Sequence, residues 1–173
     1  IVALIIAWLG NATDIDIALA DAAFDPVRRR FPWRDSWLAD TFSHRILKAV
    51  LVSAGAAVIG AAIVDMLRPL AGVDAGVRMR LRIVASSAVL VPLLTSLLKQ
   101  LSESHCPWDL ALYGGAEPYV RLMGAMPVGV PAGHCMPGGH ASSALWLISL
   151  GVFWLPARPR QATLVTACAL AFG

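Results

Sequence analysis

Met136-Pro137-Gly138-Gly139-His140-Ala141-Ser142 puts a glycine pair and a histidine where a polar loop turns into an apolar segment. Adjacent glycines let the backbone approach a ligand closely and adopt conformations that other residues avoid. The first amides of the helix that follows have no intrahelical partners. With the positive end of the helix dipole they make a site for an anion, most simply a phosphate. His140 stands at the mouth of that site and titrates in a range suited to proton transfer. The same residues would also serve as a plain helix start at a membrane surface. Lys99 closes an earlier apolar segment and opens the loop Lys-Gln-Leu-Ser-Glu-Ser-His-Cys-Pro-Trp-Asp-Leu. Alone, it reads as an anchor that sends its ammonium to the interface. Paired with Gly-Gly-His, it supplies the cation that the equatorial oxygens of a transferring phosphoryl group require.

The elements that must position these residues are apolar. The chain of 173 residues is 58% hydrophobic and 14% charged, with a mean hydropathy of +0.69. A water-soluble domain carries roughly a quarter charged residues, so the composition indicates an integral membrane protein. The expected fold is all-α: a polytopic transmembrane helical bundle forming one domain over residues 1–173. Three apolar segments are expected to be complete spans, at 46–67, 83–98 and 141–157. The second is short and is extended by Arg82 and Lys99 reaching toward the two interfaces. Small residues recur in the first (Ser53, Gly55, Ala56, Ala57, Gly60, Ala61, Ala62), a pattern that permits close helix packing in lipid. Pro92 is expected to kink the second. The runs at 1–9 and 162–173 read as parts of further spans, which would bring the full bundle to about six.

Alternation of spans places Lys99, His140 and whatever follows residue 173 on one membrane face. The opposite face gathers Arg68, Arg78, Arg80, Arg82, Arg158 and Arg160 in two short connections. Short loops dominate the positive-inside rule, so that face is expected to be cytoplasmic. The raw count of basic residues runs the other way. The segment 11–45, with Trp33, Trp37, Leu38 and Phe42 among charges, is expected either to lie in the interface or to be a plain connection. His44, at a helix start, reads as interfacial. The net charge is +3, but the basic residues flank apolar segments, where they serve topology and lipid headgroups. Nucleic acid is not expected as a partner.

In motif order and spacing the chain resembles the type 2 phosphatidic acid phosphatase superfamily. The first family motif reads Lys, six residues, Arg-Pro; here Lys99 is followed by six residues and Cys106-Pro107. The second reads Pro-Ser-Gly-His; here it is Pro137-Gly138-Gly139-His140. The resemblance covers about residues 67–173. It implies that Lys99, Gly138 and Gly139 bind the substrate phosphate, the glycines through their amides, and that His140 is the general acid. It implies a nucleophilic histidine in a third motif, expected beyond residue 173, so that residues 1–173 alone would not turn over. The implied activity is hydrolysis of a lipid phosphate ester or pyrophosphate through a phosphohistidine, with no metal and no cofactor. The implied setting is a bacterial inner membrane, with the bilayer and the lipid phosphate as partners and the site facing the periplasm. Two departures stand out. Cys106 replaces an arginine, and a thiol cannot act as a planar bidentate cation. Gly138 replaces a serine. Arg121 or His105 would have to supply the missing charge, with Arg121 favoured because it is always protonated. The competing reading is a membrane protein without turnover, either a degenerate lipid-phosphate binder or a transporter.

His105-Cys106 and His134-Cys135 form a second constellation in the same loop. Three readings are open: a zinc site of two histidines and two cysteines, a Cys106–Cys135 disulfide favoured by an oxidising compartment, and unpaired packing cysteines. Cys168 reads as a packing residue. Asp109, Tyr113 and Glu117 read as solvated loop residues, with Trp108 at the interface.

Overall fold

The computed structural model describes residues 2–139 and 144–172. It is 65% helical, and among the described residues there is no β-strand beyond two isolated bridges, Asp25 with Arg30 and Leu110 with Glu117. The helices are α1 (Val2–Ala12), α2 (Ile15–Ala23), α3 (Lys48–Leu67), α4 (Ala75–Leu101) and α5 (Pro159–Phe172). A π-helical stretch, Leu38–Leu47, runs directly into α3, and a 3₁₀ helix covers Leu145–Trp154. Two continuous helices, Leu38–Leu67 and Ala75–Leu101, are long and apolar enough to cross a membrane. The chain divides into two compact units, one of residues 1–43 and 98–137, the other of residues 44–97 and 138–173.

Both long helices start earlier than hydropathy alone indicates, because polar side chains start them. The Ser36 hydroxyl accepts a hydrogen bond from the Ala39 amide at 3.2 Å, an arrangement that satisfies an otherwise orphaned donor at a helix start. The Asp74 carboxylate does the same for the Val77 amide at 2.9 Å, and its charge suits the positive end of the dipole. Arg78, Arg80 and Arg82, expected in a loop over 68–82, therefore lie on the first turns of α4. At the far end of α3, Arg68 is extended at φ −138°, as the clash with the following Pro69 requires. The segment 141–157 differs more. Its described part is the 3₁₀ helix Leu145–Trp154, which at 2.0 Å per residue reaches about 20 Å and falls short of a bilayer core of about 30 Å. Leu155, extended ahead of Pro156, ends it.

In the second unit, Val84 and Ala88 of α4 pack with Trp146 of the 3₁₀ helix, flanked by Val58, Ile59 and Val91. Small residues allow the approach, but few of those in the sequence do so. On α3 only Gly55, Ala62 and Asp65 are buried, at spacings that share one helical face, while Gly60 has nothing within 4 Å of a hypothetical Cβ. Asp65, passed over by hydropathy, is 1% exposed. Its Oδ1 accepts from the Leu70 amide at 3.1 Å, and Arg78 and Arg82 lie 3.7 and 4.0 Å away.

The first unit joins α1 and α2 to the loop that follows α4. Phe24, Phe31 and Tyr113 form an aromatic cluster with centroids 5.0–5.2 Å apart. Tyr113 is thereby buried at 6% exposure and is not a solvated loop residue. Its hydroxyl donates to Asp21 at 2.9 Å.

Two glycines should respond oppositely to alanine. At Gly55 a methyl would meet Trp146 and Ala88 at 3.8 and 3.9 Å, ordinary contact, so Gly55→Ala should raise stability by up to about 1 kcal/mol. At Gly151 it would meet Thr166 Oγ1 at 3.0 Å and the Ala162 carbonyl at 3.3 Å, so Gly151→Ala should lower the melting temperature. Thermal unfolding in detergent measures both; the same sign for the two variants would contradict this packing.

Candidate functional site

The loop after α4 is folded by backbone pairing and one covalent link. The amides of Gly133, His134 and Cys135 donate to the carbonyls of Glu103, Ser102 and Ser104 at 3.1, 3.2 and 2.9 Å. Cys106 and Cys135 are joined by a disulfide with a Cα–Cα distance of 5.1 Å. Neither sulfur is therefore available as a metal-binding thiolate. His105 is folded inward, its side chain 7% exposed. Its Nε2 lies 3.0 Å from the Pro131 carbonyl and 3.8 Å from Glu117 Oε2. A Cβ on Gly133 would stand 2.6 Å from the His105 ring, so glycine is needed for that close approach. His134, next in the chain, has a left-handed backbone with φ 50°.

Lys99 occupies the last turn of α4, where a cation complements the negative end of the dipole. It is half-buried, and its ammonium has no hydrogen bond or ion pair among the described residues. Arg121 is engaged elsewhere: Nη2 donates to Asp14 at 2.6 Å, and Nη1 to the Asn11 carbonyl at 2.7 Å. With Leu122 donating to the Gly10 carbonyl and Met123 to Asn11 Oδ1, this contact clips the loop onto the end of α1. A phosphate bound by Arg121 would have to compete with Asp14. Tyr119 makes a parallel clip, donating to Asp16 at 2.7 Å. Arg34 stacks over Trp108 at 4.5 Å, a cation–π contact.

Gly138 and Gly139 belong to the second unit. Gly138 is exposed, and a Cβ there would meet nothing within 4 Å, so this glycine is not enforced by packing. Gly139 is helical. His140 lies outside the described residues. The structure thus joins Cys106 to Cys135, folds His105 beside them and commits Arg121 to α1 and its following turn.

Between α1, α2 and this loop lies a cavity of about 400 Å³, bordered by Leu9, Ile15, Leu110 and Leu122, with Asp16, Ser104, His105, Tyr113 and Tyr119 as polar members. No lysine or arginine lines it among the described residues.

No family model matches the chain, and no curated protein or solved structure does either. Assignment of a family rests on the motifs alone.

Two measurements check this geometry. Closing a loop across 29 residues restricts the unfolded chain by about 3–4 kcal/mol in the chain-entropy account. Reduction, or Cys106→Ala with Cys135→Ala, should lower the melting temperature, and alkylation of Cys106 and Cys135 as well as the free Cys168 in the unreduced protein would refute the link. The chain has only two tyrosines, both outside the long helices. Burial, reinforced by Asp21, pushes Tyr113 up to about 12. Burial, reinforced by Asp16, pushes Tyr119 up to about 12 as well. Because the folded values are raised, the stability these phenols contribute is complete below pH 10 and is lost between pH 10 and 12. Phenolate absorbance of the folded protein should therefore rise near pH 12; a midpoint near 10 would show that these bonds do not form.

Proposed function

We propose that the protein is a membrane-embedded phosphatase of the type 2 phosphatidic acid phosphatase kind, acting on a lipid phosphate ester or pyrophosphate. The observation that carries this reading is the pair of motifs in order, Lys99 with Cys106-Pro107 and Pro137-Gly138-Gly139-His140. Support for the membrane setting comes from the long helices. Only 17% of the most apolar window of each is buried, and Val52, Ile63, Val89, Leu93 and Leu98 present large side chains outward. The core helix of a soluble protein would bury these, and outward apolar surface on this scale calls for a membrane or partner. Support for phosphate binding comes from Lys99, a cation at the end of such a helix with no partner among the described residues.

In this reading Lys99 and the Gly138 and Gly139 amides hold the nonbridging oxygens. A histidine of the third motif attacks phosphorus, forming a P–N bond as the P–O bond to the lipid breaks. His140 gives its proton to the departing oxygen. Water then attacks the phosphohistidine and releases phosphate, with His140 now taking the water's proton. No metal or cofactor takes part. The site would face the periplasm of a bacterial inner membrane, so that the lipid tail stays in the bilayer.

A second reading, a lipid-phosphate binder without turnover, is favoured by a specific observation. Cys106 is spent in a disulfide and Arg121 in a contact with Asp14, so neither replaces the arginine of the family motif.

Phosphate release from phosphatidic acid and from a prenyl pyrophosphate by the full-length protein separates the two. His140→Ala should cost about 10²–10⁴ in kcat, and Lys99→Ala about 10²–10³ in kcat/KM. Turnover by His140→Ala equal to that of the parent would overturn the phosphatase reading. Saturable lipid-phosphate binding with no phosphate release by the parent would establish the second.

A further inference from the structure

The face of the second unit formed by α3 and α4 carries a groove of about 360 Å³ whose lining has a regular pattern. On α3 it is Ile59, Ala62, Ile63 and Met66; on α4 it is Arg82, Ala85, Ser86, Val89 and Leu90. Both sets follow i, i+3, i+4, i+7 spacing, so each is one stripe of a helix, and the stripes face each other. All members are apolar except Ser86 and Arg82, and Arg82 stands at one end. From Arg82 to Leu90 the groove runs about 12 Å along the helix axis.

The charge at the end with Arg82 is set by three side chains. Asp65 and Arg78 are largely consumed by local structure: Asp65 accepts from the Leu70 amide, and Arg78 donates to the Val73 and Leu70 carbonyls at 3.1 and 2.8 Å. Arg78 Nε is the nearer cation to Asp65, at 3.7 Å. Arg82 lies 4.0 Å from Asp65 Oδ2 without a hydrogen bond, and its side chain is 49% exposed. One carboxylate therefore faces two guanidinium groups, and the surplus positive charge sits on Arg82.

We infer that this groove binds an anionic phospholipid of the surrounding bilayer, its headgroup phosphate on Arg82 and one acyl chain between the α3 and α4 stripes. A hydrocarbon slot closed by a cation selects a molecule with a tail and a negative head together. Basic pockets between membrane helices are recognised settings for such headgroups. Asp65 positions Arg82 at the mouth. The inference rests on the membrane-spanning part of the reading above and is independent of the phosphatase chemistry.

Native mass spectrometry of the full-length protein, loaded with phosphatidylglycerol or phosphatidylcholine and stripped of detergent, tests it. The parent should retain phosphatidylglycerol about fivefold more than phosphatidylcholine, as expected for one guanidinium near a headgroup. Arg82→Gln should bring that ratio close to one, and Arg82→Lys should keep most of it. Ser86→Trp, a change at an exposed position that fills the slot, should lower retention of both lipids, and glycerol 3-phosphate alone should not be retained. Equal retention of the two lipids by the parent, or unchanged retention in Ser86→Trp, overturns the inference. A protein soluble without detergent would instead refute the membrane reading. Retained phosphatidylglycerol together with no phosphate release from phosphatidic acid or a prenyl pyrophosphate would refute only the phosphatase.

Discussion

The polar part of this molecule depends on the closure of one loop. The stretch from the end of α4 to Pro137 carries only two short 3₁₀ turns, Pro107–Asp109 and Ala111–Tyr113. It is held because Cys106 is bonded to Cys135 and because residues 133–135 pair with residues 102–104. A chain so closed loses much of the freedom it would have when unfolded, and weak polar contacts can then persist. The Arg121 and Tyr119 clips onto Asp14 and Asp16 and the Tyr113 contact with Asp21 are of this kind. Each is individually modest, and each brings together residues roughly a hundred positions apart.

A different constraint governs the second unit. Its long helices leave apolar side chains outward and bury little, so their contact depends on small residues and shape. Gly55, Ala62, Ala85 and Ala88 let α3, α4 and Trp146 approach. The buried Asp65 is the exception in this apolar surface. A lone carboxylate there would be costly to charge, and Arg78 and Arg82 offset that cost. The outcome is a guanidinium presented at the end of a hydrocarbon groove.

Much of the architecture is legible from residue types. Helicity, the presence of two long apolar helices and the position of Lys99 at the end of one follow from hydropathy and charge. The helix starts do not follow from hydropathy, because Ser36 and Asp74 act through single hydrogen bonds that composition averages away. The segment 141–157 was expected as a span; within its described residues Leu145–Trp154 form a 3₁₀ helix, which apolar content cannot distinguish from an α-helix. Tyr113 looked solvated because its partners, Phe24 and Phe31, are some eighty or more positions away.

The order Lys99, Cys106-Pro107, Pro137-Gly138-Gly139-His140 is a property of the sequence by itself, as are the apolar runs of the two helices long enough to cross a membrane. Those are local: each depends on residue type and spacing along the chain. Only the tertiary structure decided which charges are spent and which remain. It pairs Arg121 with Asp14, joins Cys106 to Cys135, buries Asp65 between two arginines and leaves Lys99 and Arg82 with cationic groups to offer. Electrostatic and covalent pairing depends on distance in space, which the order of residues along a chain does not encode.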